Sequence, residues 1–219
     1  LVLLVAAIAV NLVLGDRTEP RVKTPIVAQV KAVWRDGRLW VLSLFYFVTF
    51  GAFVALTVYL PNFLATHYGL DGVTAGLFTS AFIVAAAAVR VLGGWLADRL
   101  DCLRLLAGVF AALATGAAVL ALAPDLPVYL AGIYLISAAC GIGNGVVFKL
   151  VPQHFRAQAG PVNGIVAMMG GLGGFFPPLV LSASTLLFST SVPGFAAFGA
   201  FALACLAISL VMRRKTRSS

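Results

Sequence analysis

The chain has 219 residues, of which 62% are hydrophobic and only 10% charged, and its mean hydropathy is +1.06. A soluble domain carries about 25% charged residues, so this composition excludes a soluble globular protein and is typical of a helical membrane protein with several spans. The net charge of +8 does not indicate a nucleic-acid partner, because the basic residues are spread over separate membrane-edge segments. Long unbroken apolar runs disfavour a membrane β-barrel, whose strands alternate in hydrophobicity.

The first apolar run, residues 1–14, is too short to cross a bilayer. It lacks the features of a signal peptide, which are a basic start, a small-residue cleavage site and a globular domain after it. We therefore expect the truncated end of a preceding transmembrane helix, and a chain that is the C-terminal part of a longer protein. Residues 15–38 are polar and contain Pro20 and Pro25, which disfavour a helix in the first half. We predict a loop here, with a short interfacial helix over residues 26–34.

Six apolar segments follow, and each is long enough to form a transmembrane helix. They are Leu39–Leu60, Val73–Leu96, Leu103–Ala123, Val128–Leu150, Gly160–Leu187 and Gly194–Met212. The fifth segment contains several glycines and the pair Pro177–Pro178, so we expect it to tilt or bend. The predicted fold is an all-α polytopic membrane protein, with a six-helix bundle over residues 39–212 and a basic tail over residues 213–219.

The basic residues outside the spans alternate between the two sides of the predicted bundle. The successive loops and the tail contain 6, 0, 2, 0, 2, 0 and 4 Lys or Arg residues. By the positive-inside rule, residues 15–38, 97–104, 149–158 and the C-terminus are cytoplasmic. We therefore expect a multi-pass protein of the plasma membrane, which is the inner membrane in a bacterium.

Arg90 is the one basic residue that this alternation does not place at a membrane edge. A guanidinium in hydrocarbon costs about 2.5–3.5 kcal/mol on the mildest insertion scale, so Arg90 should face a protein-lined or water-filled cavity. Eight helical residues separate it from Asp98, or about 12 Å, which puts it near the bilayer midplane. All seven acidic residues lie in loops or at helix ends. The fixed charge of this half of the membrane protein therefore favours an anionic ligand.

The segment from Gly94 to Arg104 joins two predicted helices on the cytoplasmic side. It has a glycine, then the pair Asp98-Arg99, then the basic Arg104, and it resembles the loop motif of the major facilitator superfamily. In that motif the glycine allows close helix contact, and the acidic residue caps a helix or pairs with a basic side chain to latch one conformation. Asp101 stands where the family usually has glycine. An ordinary charged loop is the alternative interpretation.

Three further groups of residues at membrane depth are candidates for a binding site. Asn144 is a polar residue near the end of the fourth span. Tyr46 and Phe50 are four residues apart and share one face of the first span, next to Gly51. A glycine-rich run in the fifth span, followed by Phe175-Phe176, lets helices approach closely and exposes backbone amides. Its glycines are Gly170, Gly171, Gly173 and Gly174. Packing alone is the alternative for the aromatic pair and for each glycine.

These segments together resemble the nitrate/nitrite porter family within the major facilitator superfamily, over nearly the whole chain. The resemblance implies the C-terminal six-helix half of a carrier, built from 3+3 inverted repeats, that exchanges nitrate and nitrite across the membrane. It further implies that Arg90 is the anion-binding arginine of this half and that Tyr46 and Phe50 form an aromatic cage. The signature glycines then surround the anion, and the partner is an N-terminal six-helix half with its own arginine.

Two other functions remain open from the residues alone. One is a carrier of the same architecture for another small anion, such as a monocarboxylate. The other is a membrane subunit that transports nothing, in which Arg90 pairs with a helix of a partner chain. We expect no enzymatic activity, no cofactor and no metal site, because no nucleophile and base converge and the histidines lie on opposite sides. The three cysteines are interpreted as small packing residues; they are Cys102, Cys140 and Cys205.

Overall fold

The computed structural model describes residues 2–14, 25–122, 125–188, 190 and 192–218. Within these ranges the chain forms nine α-helices and one 3₁₀ turn, Arg156–Gln158. The helices are α1 (Val2–Leu14), α2 (Ile26–Val33), α3 (Gly37–Tyr68), α4 (Gly72–Arg99), α5 (Cys102–Leu122), α6 (Leu126–His154), α7 (Ala159–Gly173), α8 (Phe176–Phe188) and α9 (Val192–Ser218). The first half of the loop predicted over residues 15–38 lies outside the described residues, and α2 occupies the segment predicted as a short helix.

Five helices in the described part of the chain are long and apolar enough to cross a membrane, namely α3, α4, α5, α6 and α9. They coincide with five of the six predicted spans. The remaining span is divided between α7 and α8, which meet at Gly174 and Phe175. The fold is therefore the all-α polytopic membrane bundle that the sequence predicts, with one discontinuous helix.

The break between α7 and α8 has a local cause. The amide of Gly174 donates to the carbonyls of both Gly170 and Gly171, so the last turn of α7 tightens and stops. Pro177 and Pro178 follow, and neither has an amide hydrogen that could continue the ladder of α7. The bend expected in this span is thus a complete interruption.

Several helices extend beyond the apolar segments that predict them. The first span was expected to end at Leu60, but α3 continues through Pro61 to Tyr68 and stops at Gly69, whose φ of 67° is left-handed. Likewise α6 runs through Pro152 to His154, and α9 runs through the basic tail to Ser218. Hydropathy marks the hydrocarbon part of a membrane helix, whereas its hydrogen-bonded ends reach into the interface.

Aspartate side chains cap the first turns of three spanning helices, with Asp36 on α3, Asp71 on α4 and Asp101 on α5. Asp36 accepts a hydrogen bond from the Arg38 amide at 2.8 Å and starts α3. Asp71 accepts from the amides of Val73 and Thr74 at 3.1 Å and starts α4. Hydrogen bonds from the side chain and amide of Thr74 hold the pKa of Asp71 below its ordinary value. These carboxylates are committed to helix caps, which explains why they lie at membrane edges.

The helices pack in a repeating pattern. Two sets of three succeed each other, α3, α4 and α5, then α6, the α7–α8 pair and α9. The second helix of each set packs mainly on the first helix of the other set, so α4 lies against α6 and α7 lies against α3. The third helices, α5 and α9, pack against each other. This exchange of partners is the arrangement expected of 3+3 inverted repeats.

Candidate functional site

Arg90 lies on α4, nine residues before the helix ends at Arg99. The carbon atom of its guanidinium is 5.8 Å from the centre of the Phe50 ring, within the range of a cation–π contact. The Nε atom is buried and has no hydrogen-bond partner in the part of the chain that the structure describes. Among the described residues, the carboxylates that form ion pairs are Asp98 and Asp101, and neither pairs with Arg90. The site therefore holds an arginine whose charge no described carboxylate neutralises.

Glycines on α6 hold the backbone of Arg90 in place. A Cβ atom added at Gly145 lies 2.6 Å from the carbonyl oxygen of Arg90, and one added at Gly141 lies 3.2 Å from its amide nitrogen. Gly93 has the reciprocal contact, since a Cβ there lies 2.6 Å from the carbonyl oxygen of Ile142. The main chains of α4 and α6 thus touch along one seam, as small residues at i and i+4 permit in membrane helices. This seam fixes the depth of Arg90.

Three aromatic rings form one side of the site. The rings of Tyr46 and Phe50 stack at 5.1 Å with an interplanar angle of 10°. Phe148 of α6 meets the edge of Tyr46 at 4.7 Å. Tyr46 is almost fully buried, one helical turn before Phe50, whose ring faces the Arg90 guanidinium. Its phenol hydroxyl is a group that can donate a hydrogen bond.

Asn144 is fully buried on α6, one turn before Phe148. Neither its amide nitrogen nor its amide oxygen has a hydrogen-bond partner among the described residues. A buried side-chain amide without partners costs about 1–3 kcal/mol. Such a cost at membrane depth is typical of a group that awaits a ligand or a neighbouring helix.

Most of the glycine-rich run packs against α3. A Cβ added at Gly170 collides with the Tyr46 ring, and one added at Gly173 collides with the carbonyl oxygen of Phe47. A Cβ at Gly174 lies 2.7 Å from the side chain of Val54, whereas one at Gly171 meets nothing within 4 Å. In return, a Cβ at Gly51 lies 2.6 Å from the Gly173 carbonyl. The run therefore brings α7 close enough to α3 to hold the Tyr46 ring, and only Gly171 faces open space.

The family model described as Major Facilitator Superfamily matches this chain over residues 1–178 and 65–218. A "Nitrite extrusion protein" of Bacillus subtilis (strain 168) is 47% identical over 97% of the chain and 54% of its own length. The chain belongs to the nitrate/nitrite porter family of the major facilitator superfamily. Proteins named "Probable nitrate transporter NarT" in Staphylococcus carnosus and Staphylococcus epidermidis are 43% and 42% identical, over 94% of the chain and 53% of their lengths. The porter chain spans about half the length of these relatives.

Phe148 and two glycines of α6 belong to the site but are not among the residues predicted from the sequence. Phe148 follows Asn144 by four residues and so shares its face, which is a signal that the sequence contains. The pair Gly141 and Gly145 has the spacing of a helix-contact motif, which is a visible signal. The residue that they contact is not visible in the sequence, because α4 and α6 are separated by a third helix.

The loop motif of the porter chain forms contacts within the bundle. Lys149 on α6 forms an ion pair with Asp98 at the end of α4. Arg99 stacks on Trp95 one turn earlier, with 4.0 Å between the guanidinium carbon and the ring centre. A Cβ at Gly145 lies 2.7 Å from the amide nitrogen of Gly94, whereas one at Gly94 itself meets nothing within 4 Å. The close contact at this point therefore depends on Gly145 and not on the motif glycine.

Asp101 replaces the glycine that the family usually has in this loop. Its carboxylate accepts a hydrogen bond from the Arg104 amide at 2.8 Å and caps α5. It also forms an ion pair with Arg213 of α9 at 3.8 Å. The turn between α4 and α5 is therefore made with a capping residue in place of a glycine.

Proposed function

We propose that this chain is the C-terminal half of a secondary carrier for nitrate and nitrite. It works by alternating access, rocking against an N-terminal six-helix half that supplies a second arginine. The observation that carries the proposal is the charge of Arg90, held inside the bundle among aromatic rings without a described carboxylate partner. The names of the relatives suggest which anion neutralises it.

In this proposal Arg90 binds the planar anion through two parallel N–H···O hydrogen bonds. Tyr46 donates a further hydrogen bond from its hydroxyl, and Phe50 and Phe148 close the site above and below the plane. Asn144 supplies an amide donor that is already desolvated and without a partner. A small, flat and weakly hydrated anion suits this combination of few donors and many ring faces.

The glycine helix has two proposed roles. Gly170, Gly173 and Gly51 set the close approach of α7 to α3, on which the position of Tyr46 depends. Gly171 leaves room for the anion, and the break at Gly174 acts as a hinge during rocking. The interruption also leaves helix ends at membrane depth, where discontinuous helices of carriers bind ions.

For orientation, we propose that the basic end of the bundle is cytoplasmic in a bacterial inner membrane. This end carries the residues of the loop motif, Lys149, Arg156 and the end of α9. Residues 15–38 then connect the two halves on the cytoplasmic side. Residues 1–14 end the last helix of the other half, and residues 213–219 are the basic cytoplasmic tail.

The loop motif is proposed to act as a conformational latch, with Gly94, Asp98, Arg99 and Arg104 at the cytoplasmic end. Asp98 and Lys149 are 56% and 40% exposed, so water and salt screen their ion pair and it contributes little to stability. We expect Asp98→Asn to lower the thermal unfolding temperature only slightly but to slow nitrate exchange several-fold. Exchanging the charges, with Asp98→Lys and Lys149→Asp together, should restore most of the rate. Asp125→Asn, at the opposite end, is the control.

A latch role is contradicted if Asp98→Asn and Asp125→Asn give the same exchange rate. It is also contradicted if the charge-exchanged protein is no faster than the single variants, because a pairing interaction must be recovered when both partners are swapped.

Exchange explains the absence of an intramembrane carboxylate among the described residues better than proton symport. The test uses the full-length protein in proteoliposomes loaded with nitrite. External labelled nitrate should enter only when nitrite is inside, and an imposed pH gradient should not change the rate. Uptake that requires the pH gradient would contradict exchange, and stronger competition by lactate than by nitrite would favour a monocarboxylate carrier.

A further inference from the structure

A second cavity lies at the basic end of the bundle, between α5 and α6. It has a volume of about 580 Å³ and is formed by α5, α6, the loop before α5 and the end of α9. Its mouth carries three charged residues, Asp101, Arg104 and Arg213, and the remaining lining residues are apolar. We call this cavity the basic-end groove.

The charges at the mouth of the groove do not balance. Asp101 forms an ion pair with Arg213 at 3.8 Å, but the buried Nε of Arg213 makes no hydrogen bond to a described residue. The carboxylate of Asp101 is also engaged by the Arg104 amide, so it caps α5 as well. The mouth therefore has two arginine side chains and one carboxylate, which leaves one positive charge in excess. An anion with several acceptor oxygens fits between the two arginines.

The wall of the groove is apolar and extends away from the mouth. Leu135 and Ile142 of α6 both line it, and seven helical residues separate them by about 10 Å. On the facing helix, Gly108 and Ala112 leave the groove deep, and a Cβ added at Gly108 meets nothing within 4 Å. Leu135 is 38% exposed. An apolar wall does not stabilise a free inorganic anion, whereas an acyl chain gains stability when its apolar surface is buried against it.

We propose that the basic-end groove binds one anionic phospholipid of the adjacent leaflet. The phosphate lies between Arg104 and Arg213, and one acyl chain follows Gly108 and Leu135 toward the membrane centre. Basic pockets between transmembrane helices bind anionic headgroups in this way. A zwitterionic lipid is a poorer ligand, because its own cation repels the arginines. The bound lipid joins α5 to the end of α9 and so steadies the packing of the third helices.

The test uses the purified full-length protein in detergent, with phosphatidylglycerol as the probe. Native mass spectrometry should detect one tightly retained phosphatidylglycerol, and phosphatidylcholine should bind more weakly. A single basic residue near a membrane surface contributes enough attraction for Arg104→Ala or Arg213→Ala to weaken binding about fivefold. Arg214→Ala, an exposed neighbour outside the groove, should leave binding unchanged.

A second variant fills the groove without touching its charges. Gly108→Leu should abolish retention of phosphatidylglycerol, and it should not unfold the protein, since its Cβ meets no neighbour. Gly76→Leu is the matched control, because its Cβ also meets nothing within 4 Å and it lies on α4 outside the groove. Equal binding of both lipids, or retention unchanged by Gly108→Leu, would overturn the proposal. Complete displacement by inorganic phosphate would show a free-anion site in place of a lipid site.

Discussion

Replacing Arg90 by alanine is expected to remove the nitrate binding that we propose for the full-length protein. Truncating one partner of a desolvated, hydrogen-bonded charge pair costs about 2–5 kcal/mol, which corresponds to a loss of affinity from about 30-fold to several thousand-fold. Arg90→Lys keeps the charge but loses the planar fork, so we expect at least about a tenfold loss. Binding is measured by calorimetry or by the nitrate-dependent rise in unfolding temperature.

The stability of the Arg90 variants separates a binding role from a structural one. Arg90 forms neither an ion pair with a carboxylate nor a hydrogen bond through its Nε among the described residues. The alanine variant should therefore unfold at the same temperature as the unmodified protein, or higher, when no anion is present. Arg38→Ala, at the start of α3, is the control for removing a cation. If Arg90→Ala binds nitrate with undiminished affinity, Arg90 is not part of the site. If Arg90→Ala is much less stable in the absence of an anion, Arg90 instead stabilises the fold.

The second large effect is expected at Gly173. An added Cβ there collides with the carbonyl oxygen of Phe47, which belongs to the main chain of α3 and cannot rotate away. Overpacking of this kind costs about 1–3 kcal/mol, and we expect Gly173→Ala to lie at the upper end. For a chain of this size that cost lowers the unfolding temperature by roughly 6–12 °C.

The same substitution elsewhere in α7 provides the matched control. A Cβ at Gly164 meets nothing within 4 Å, and alanine is favoured over glycine in a helix by about 1 kcal/mol. Gly164→Ala should therefore raise the unfolding temperature slightly, while Gly173→Ala lowers it. Thermal unfolding of the two variants, monitored by circular dichroism, gives opposite signs if α7 packs on α3 as described. Equal shifts would contradict that packing.

Much of the architecture was predictable because membrane insertion imposes strong rules on a sequence. Hydropathy located five continuous spans, and the count of Lys and Arg residues separated Arg90 from the other basic residues. The spacing of Tyr46 and Phe50 predicted one shared face, and their rings stack. These inferences need only the periodicity of one helix and the thickness of the bilayer.

Other features depend on which helices become neighbours, and periodicity contains no such information. Lys149 was counted as an ordinary membrane-edge cation, yet it is the partner of Asp98 because α6 lies beside α4. Gly171 and Gly173 look equivalent in the sequence, but only Gly173 meets the main chain of α3. The sequence predicts only a bend near Gly174. Whether the α-helical hydrogen bonds continue there or the helix ends in a tightened turn depends on packing against other helices, and the structure has the tightened turn.

The seam between α4 and α6 has a mechanical consequence. Main-chain atoms meet there, at Arg90 and Gly145 and again at Gly93 and Ile142, so no change of side-chain rotamer can widen it. We therefore expect α4 and α6 to move together as one rigid unit in any large motion of the molecule. Arg90 belongs to this rigid unit, and the ion pair of Lys149 with Asp98 joins the two helices at their basic ends. We therefore expect any opening and closing around Arg90 to occur at the break between α7 and α8.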